Sequence, residues 1–216
     1  MTLEIRYLPI TADQWFPDRC LSIKQPLSVY RIKPETGCPS LSLFYTQGDR
    51  KILEDLYQGA LERYGCCGHL AWQGDQVIGF NTFFPWELSR RIKFYGWGSD
   101  QIKAPGETLI HNCISLINHS KYRRKQIGSN LIKYSLNWGR NNGWKRFEVY
   151  NVLPNNNEAF TSEQKSCVSF WEKLGFSVFH TEKASDELNK LYNIHRVFYM
   201  YIGLQDNPKL DKILAL

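Results

Sequence analysis

Apolar and polar positions along this chain follow two rhythms, one helical and one extended. From Asp49 to Tyr64, Ile52, Leu53, Leu56, Tyr57 and Leu61 recur at spacings of three and four, which predicts an amphipathic helix. Asp49 stands where a cap is wanted and Gly65 where a helix stops. Before it, Leu3 to Tyr7 alternates as a strand does. After it, His69 to Gln73 and Gln76 to Phe84 read as strands joined by a tight Gly74-Asp75 turn, with Pro85 closing the second. Leu109 to Asn118 (LIHNCISLIN) reads as a buried strand, followed by a helix to about Arg140 that Asn141-Asn142-Gly143 ends. Arg146 to Val152 (RFEVYNV) is a further strand. Ser162 to Leu174 reads as a helix with Ser162 as N-cap and Gly175 as stop. Phe176 to His180 and Ile194 to Ile202 are the last strands, and Gln205 to Leu216 is a docked or frayed helix.

Other segments fit neither rhythm. Thr11 to Ser40 contains Pro17, Pro26, Pro34 and Pro39, so it is expected to be irregular. Its apolar residues, among them Trp15, Phe16 and Leu21, predict that it packs on the domain. Trp86 to Trp97 mixes aromatics with Arg90, Arg91 and Lys93. It fits a continued strand or a lid, and an exposed strand with one packed face is a commoner use of such a mixture than nucleic-acid binding. Ala104 to Glu107 is a turn and Leu153 to Thr161 a polar loop. Helices alternating with strands must pack on a sheet face, so the fold class is α/β or α+β, with residues 1–216 as one domain.

Composition narrows the class. The chain has 216 residues, 43% hydrophobic and 22% charged, enough for a sizeable core and unlike a disordered chain. The first ten residues lack the apolar core of a signal peptide, and no apolar run approaches the ~20 residues that span a bilayer. A soluble cytoplasmic protein without membrane contact is therefore expected. The six cysteines form no C-x-x-C pair and read as reduced thiols. Cys66, Cys67 and His69 do not have a recognised zinc spacing, so no metal is expected. The net charge is +6, and no acidic residue occurs between Lys121 and Arg146. That excess suits an anionic ligand, whether nucleotide, cofactor or nucleic acid.

The chemistry concentrates in Tyr122 to Ile132 (YRRKQIGSNLI), where a strand delivers a basic loop, a glycine and a helix start. Backbone N–H groups at a helix start lack intrahelical partners, and the helix dipole adds positive charge there. A phosphate fits both features. Arg123, Arg124 and Lys125 add full charges, and Gly128 lets a ligand approach the backbone. The plainer alternative is a solvated basic turn before an ordinary helix.

The element order and two motifs resemble the GNAT superfamily of acyl-coenzyme A-dependent N-acyltransferases. The family's phosphate loop reads R/Q-x-x-G-x-G/A; here it is Arg123-Arg124-Lys125-Gln126-Ile127-Gly128, with Gln126 replacing the middle glycine. If that position needs a positive φ, glutamine costs roughly 1 kcal/mol or more. The later motif F-Y-x-K-x-G-F is similar to Phe170-Trp171-Glu172-Lys173-Leu174-Gly175-Phe176. The resemblance covers about Gly68 to Ile202. It implies a mixed, mostly antiparallel central sheet flanked by helices and splayed at a coenzyme site. It also implies acetyl-coenzyme A, or another acyl-coenzyme A, as co-substrate and an N-acetyltransferase activity.

Carried over residue by residue, the resemblance assigns the pantetheine arm to the backbone of Leu116, Ile117 and Asn118. The pyrophosphate falls to Arg123, Arg124, Lys125, Gln126, Ile127, Gly128 and Ser129. The thioester lies near Tyr150 and Asn151, and a small-molecule or protein amine approaches near Phe83, Phe84 and Trp86 to Trp97. Many members use a tyrosine as proton donor where this chain has Trp171, whose indole N–H has no useful acidity and reads as a packed aromatic. Tyr150 and Cys167 are substitutes, and His111 is a candidate base because imidazole titrates near neutral pH. A thiolate can also leave without a positioned acid. Two rivals remain: a non-catalytic acyl-coenzyme A-binding or regulatory module, and a nucleic-acid- or ribosome-associated protein. Nucleic acid is the less expected partner, and a homodimer stays open.

Overall fold

The structure, a computed structural model, describes residues 4–12, 50–89, 105–116, 122, 124–154, 166–183, 186 and 194–215. Its strands are β1 (Ile5–Pro9), β2 (Gly68–Gln73), β3 (Gln76–Pro85), β4 (Thr108–Leu116), β5 (Arg146–Pro154), β6 (Ser177–Lys183) and β7 (Ile194–Gly203). Its helices are α1 (Arg50–Tyr64), α2 (Trp86–Ser89), α3 (Ile127–Asn141), α4 (Ser166–Lys173) and α5 (Pro208–Leu214). The strands form one seven-stranded sheet in the order β1-β2-β3-β4-β5-β7-β6. Neighbours are antiparallel except β4 and β5. This is the mixed, mostly antiparallel sheet flanked by helices that was expected.

The local departures have physical reasons. β1 runs two residues later than its alternation suggests, because Pro9 pairs with His69 and the N–H of buried Ile10 then donates to the Gly68 carbonyl. The segment after Pro85 turns into α2, whose Trp86 and Leu88 pack against Tyr57, Ala60 and Leu61 of α1. The rest of the basic-aromatic stretch, residues 90–97, lies outside the described residues, as do Asp49, residues 13–48 and residues 155–165. β6 extends to Lys183 because an irregularity between Val178 and His180 lets pairing with β7 continue. The C-terminal helix is docked: Leu210 is fully buried, and the Asn207 side chain accepts from the N–H groups of Lys209 and Leu210.

Each face of the sheet has its own core. On one face, Leu109, Phe147, Met200 and Ile202 pack with Ile132 and Leu136 of α3, Trp171 of α4 and Leu210 of α5. On the other, Leu70, Phe84 and Ile110 pack with α1 and α2. Gly175 ends the α4 region at φ 87°, and a Cβ there would come within 2.6 Å of Ile213. Its predicted stop is thus also a close approach to α5.

Candidate active site

The two parallel strands part almost as soon as they meet. Among the described residues, β4 and β5 are registered only as Thr108↔Arg146, Leu109↔Phe147 and Ile110↔Glu148. Beyond that point β4 continues to Leu116 paired with β3 alone, and β5 continues to Pro154 paired with β7 alone. A wedge therefore opens in the middle of the sheet, with residues 111–116 on one wall and 149–154 on the other. Strand backbone not engaged in a ladder must bond elsewhere, so such a wall can receive an extended ligand as an added strand would.

The start of α3 lies beside the far end of the β4 wall. Ile114 and Leu116 pack against the cluster that holds Ile127 and Leu131. A Cβ built on Gly128 would meet Ile114 Cδ1 at 3.4 Å, an ordinary contact, and the residue has no left-handed φ, so its outward side is left open for a ligand rather than forced by packing. Arg124 and Gln126 take left-handed conformations, at φ 60° and 59°. The Gln126 position thus has the positive φ that would make glutamine costly there. Among the described residues the Gln126 side chain makes no cap hydrogen bond, and the first intrahelical bond runs from Asn130 N–H to Gln126 O. The N–H groups of Ile127, Gly128 and Ser129 are left to point out of the helix. Arg124, Lys125 and Gln126 are exposed around them. Buried Tyr122 anchors the loop by donating to Gln73 Oε1 at 3.0 Å. Outward N–H groups ringed by exposed cations are an arrangement that can accept a phosphate.

Glu148 sits at the apex of the wedge, fully buried. Arg146 donates to its Oε1, while Oε2 has no hydrogen-bond partner among the described residues. Burial pushes its carboxyl up to about 7, against the opposing pull of Arg146. The Arg146 guanidinium lies 4.0 Å from the Tyr201 ring and 4.5 Å from that of Phe179. Tyr150, two residues on, shares the face of Glu148 and packs toward the α1 and α2 core. Its ring stands edge-on to Tyr199 at 4.9 Å. Burial, then the neighbouring charge of Glu148, hold the Tyr150 phenol above its usual range, so it stays protonated at neutral pH.

His111 lies on the opposite face, with its ring edge-on to Trp171 at 4.8 Å. Burial lowers its pKa to about 3, so the ring is neutral at pH 7 and a far weaker base than its ordinary titration range implied. Trp171 is buried against Phe176 and Phe170, the packed aromatic expected of it. The next residue of the β4 wall, Asn112, is held by Tyr57 of α1 and Thr82 of β3; Tyr57 Oη donates to Thr82 Oγ1 at 2.8 Å. His69 belongs to a separate polar knot. It meets Ser135 Oγ at 2.8 Å, and Asn81 donates to the same hydroxyl at 2.7 Å. Cys66 donates to the Gly68 carbonyl and its thiol is pushed up to about 11, chiefly by burial.

The structure thus packs Leu116 against the cluster that holds Ile127, with Ile114 next to Gly128, and sets His111 and Tyr150 on opposite faces of the sheet at the start of the wedge. Ile117, Asn118 and Arg123 lie outside the described residues, as do the side chains of Asn151 and Cys167. Sequence reasoning passed over Glu148 and Asn112. The available signal was a carboxylate in the middle of a strand whose flanking elements cover both sheet faces.

A family model described as the acetyltransferase (GNAT) family matches residues 36–176. No curated protein matches the chain. Among solved structures, a GNAT-family acetyltransferase from Streptococcus pneumoniae superposes with a TM-score of 0.55 at 15% identity, over 93% of this chain and 99% of that one. A GNAT-family acetyltransferase from Elizabethkingia anophelis with acetyl-CoA bound gives 0.51 at 17% identity, over 92% and 97%. At these identities the likeness is one of fold.

Proposed function

This chain belongs to the GNAT acetyltransferase family, and from that premise we propose that it transfers an acetyl group from acetyl-coenzyme A to a primary amine by direct attack on the thioester. Acyl-coenzyme A is the co-substrate. The observation that carries the reading is the wedge between β4 and β5, with the uncapped start of α3 at the end of its β4 wall. The pyrophosphate takes the N–H groups of residues 127–129 with Arg124 and Lys125 around them. The pantetheine arm lies along the β4 wall, and the thioester reaches the apex.

Glu148, at about 7, is matched to accept a proton from the amine near neutral pH. Tyr150 keeps its proton partly because Glu148 is charged. Once Glu148 holds the amine's proton that restraint goes, and Tyr150 becomes a better donor to the departing thiolate. Ethanolamine, an aminoglycoside, a lysine-containing peptide and a peptide with a free N-terminus sample the acceptor classes. Thiol release from acetyl-coenzyme A with any of them supports the proposal. Tight binding of acetyl-coenzyme A with no thiol release would favour a binding module instead, the reading on whose side buried Trp171 stands. The nucleic-acid reading is weakened because Arg140, Lys145 and Arg146 engage Asp211, Glu107 and Glu148.

A further inference from the structure

A second polar atom is stranded at the apex, on the face opposite Glu148. His111 is the first residue of β4 past the last pair with β5. Its ring lies between Trp171 of α4 and Phe147 of β5, at 4.8 and 6.5 Å. The residue is 6% exposed, and Nε2 has no hydrogen-bond partner among the described residues. A buried ring nitrogen left unpaired lowers stability, and an unpaired polar group at a site asks for the ligand it serves. The wedge supplies one, because a thioester carbonyl at the apex gains negative charge under attack.

We propose that the imidazole of His111 donates its Nε2–H to the thioester carbonyl oxygen and stabilises the charge that oxygen acquires. The inference rests on the acetyltransfer reading given above. As the amine nitrogen bonds to the carbonyl carbon, the C=O pair moves onto oxygen, where the N–H meets it. The pair returns as the C–S bond breaks. The amine's proton goes to Glu148, the thiolate takes a proton from Tyr150, and Glu148 then restores Tyr150. His111 keeps its proton throughout. A ring that burial holds neutral at pH 7 suits this task, since a neutral imidazole can donate without titrating. Donor and base then address the reacting carbon from opposite faces of the sheet.

The test compares His111→Gln, which keeps an N–H, with His111→Phe, which keeps the bulk alone. Both are assayed for thiol release from acetyl-coenzyme A with the fastest amine of the panel, alongside their melting midpoints. His111→Phe is expected to lose about 10²-fold in kcat with the KM for acetyl-coenzyme A unchanged. His111→Gln should recover most of that loss. Nitrogen-15 NMR of the parent should show one neutral His111 tautomer from pH 5 to 8, with Nε2 shifting when acetyl-coenzyme A is added. A folded His111→Phe variant within threefold of the parent overturns the inference. So does binding of acetyl-coenzyme A, seen by calorimetry, without movement of the Nε2 resonance. Failure of acetyl-coenzyme A to bind at all overturns the acetyltransfer reading and this inference with it.

Discussion

Replacing Glu148 with glutamine isolates the proton acceptor while keeping the side chain's size. Burial raises the carboxyl from 4.5 to about 7, so the parent's kcat/KM should climb about tenfold per pH unit below 7 and level above it. The base must be deprotonated to act, so activity falls on the acid side. Glu148→Gln should lose roughly 10²–10⁴-fold in kcat, and its profile should lack that limb. The carboxyl's own contribution to stability runs in the opposite sense. The fold favours the protonated carboxyl, so that contribution is lost as pH rises from 4.5 toward 7 and is level above that, while His111 and His69, held neutral by burial, contribute stability that is lost as pH falls below 6.5. At about 1.36 kcal/mol per pH unit, the difference accumulates to roughly 3 kcal/mol, an order-of-magnitude figure. Denaturant unfolding of both proteins at pH 5 and pH 8 reads it as the change in the gap between parent and glutamine variant, because the histidine contributions are common to both. A parent profile flat between pH 5 and 8, or a folded Glu148→Gln variant within threefold of parent turnover, would remove Glu148 from the role.

Gln126→Gly should relieve a left-handed residue worth ~1–2 kcal/mol, less the ~0.5–1 kcal/mol that glycine adds in chain entropy. The net gain should raise the melting midpoint by a few degrees at ~2–4 °C per kcal/mol; a lowered midpoint would contradict the reading of that loop. Gly128→Trp places an indole between Ile114 and the phosphate cradle and should abolish acetyl-coenzyme A binding in calorimetry; unchanged affinity would sink the loop assignment. Tyr150→Phe should lower kcat by roughly tenfold or more, and a variant as fast as the parent would exclude the phenol from proton transfer.

What the sequence disclosed and what it hid divide along physical lines. The central strands and the long helices were legible because their apolar residues keep one period against one covered face. Gly65, Gly143 and Gly175 were legible as stops, and each has a positive φ. The far half of β6 was hidden because an edge strand reading Thr181, Glu182, Lys183 carries no apolar alternation. α2 was hidden because four residues are too few to show a period. In RFEVYNV, Glu148 falls on one strand face with Arg146 and Tyr150 and carries no apolar signal, yet it is fully buried. Its burial depends on strands and helices distant in sequence. The lowered pKa of His111 was hidden for the same reason, since Trp171, sixty residues away, helps to bury it. The left-handed turn at Gln126 was anticipated conditionally through the missing glycine, whereas nothing in the spacing pointed to Arg124.

Thermal unfolding with and without acetyl-coenzyme A, with free adenosine and longer acyl-coenzymes alongside, tests the central claim most directly. Ligand at ~100 times its Kd should add roughly 2.7 kcal/mol, which raises the midpoint by about 5–10 °C at this chain length. Adenosine lacks both the pyrophosphate and the pantetheine arm and should move it little. A midpoint that no coenzyme shifts would contradict the assignment of the wedge and the α3 start to an acyl-coenzyme A.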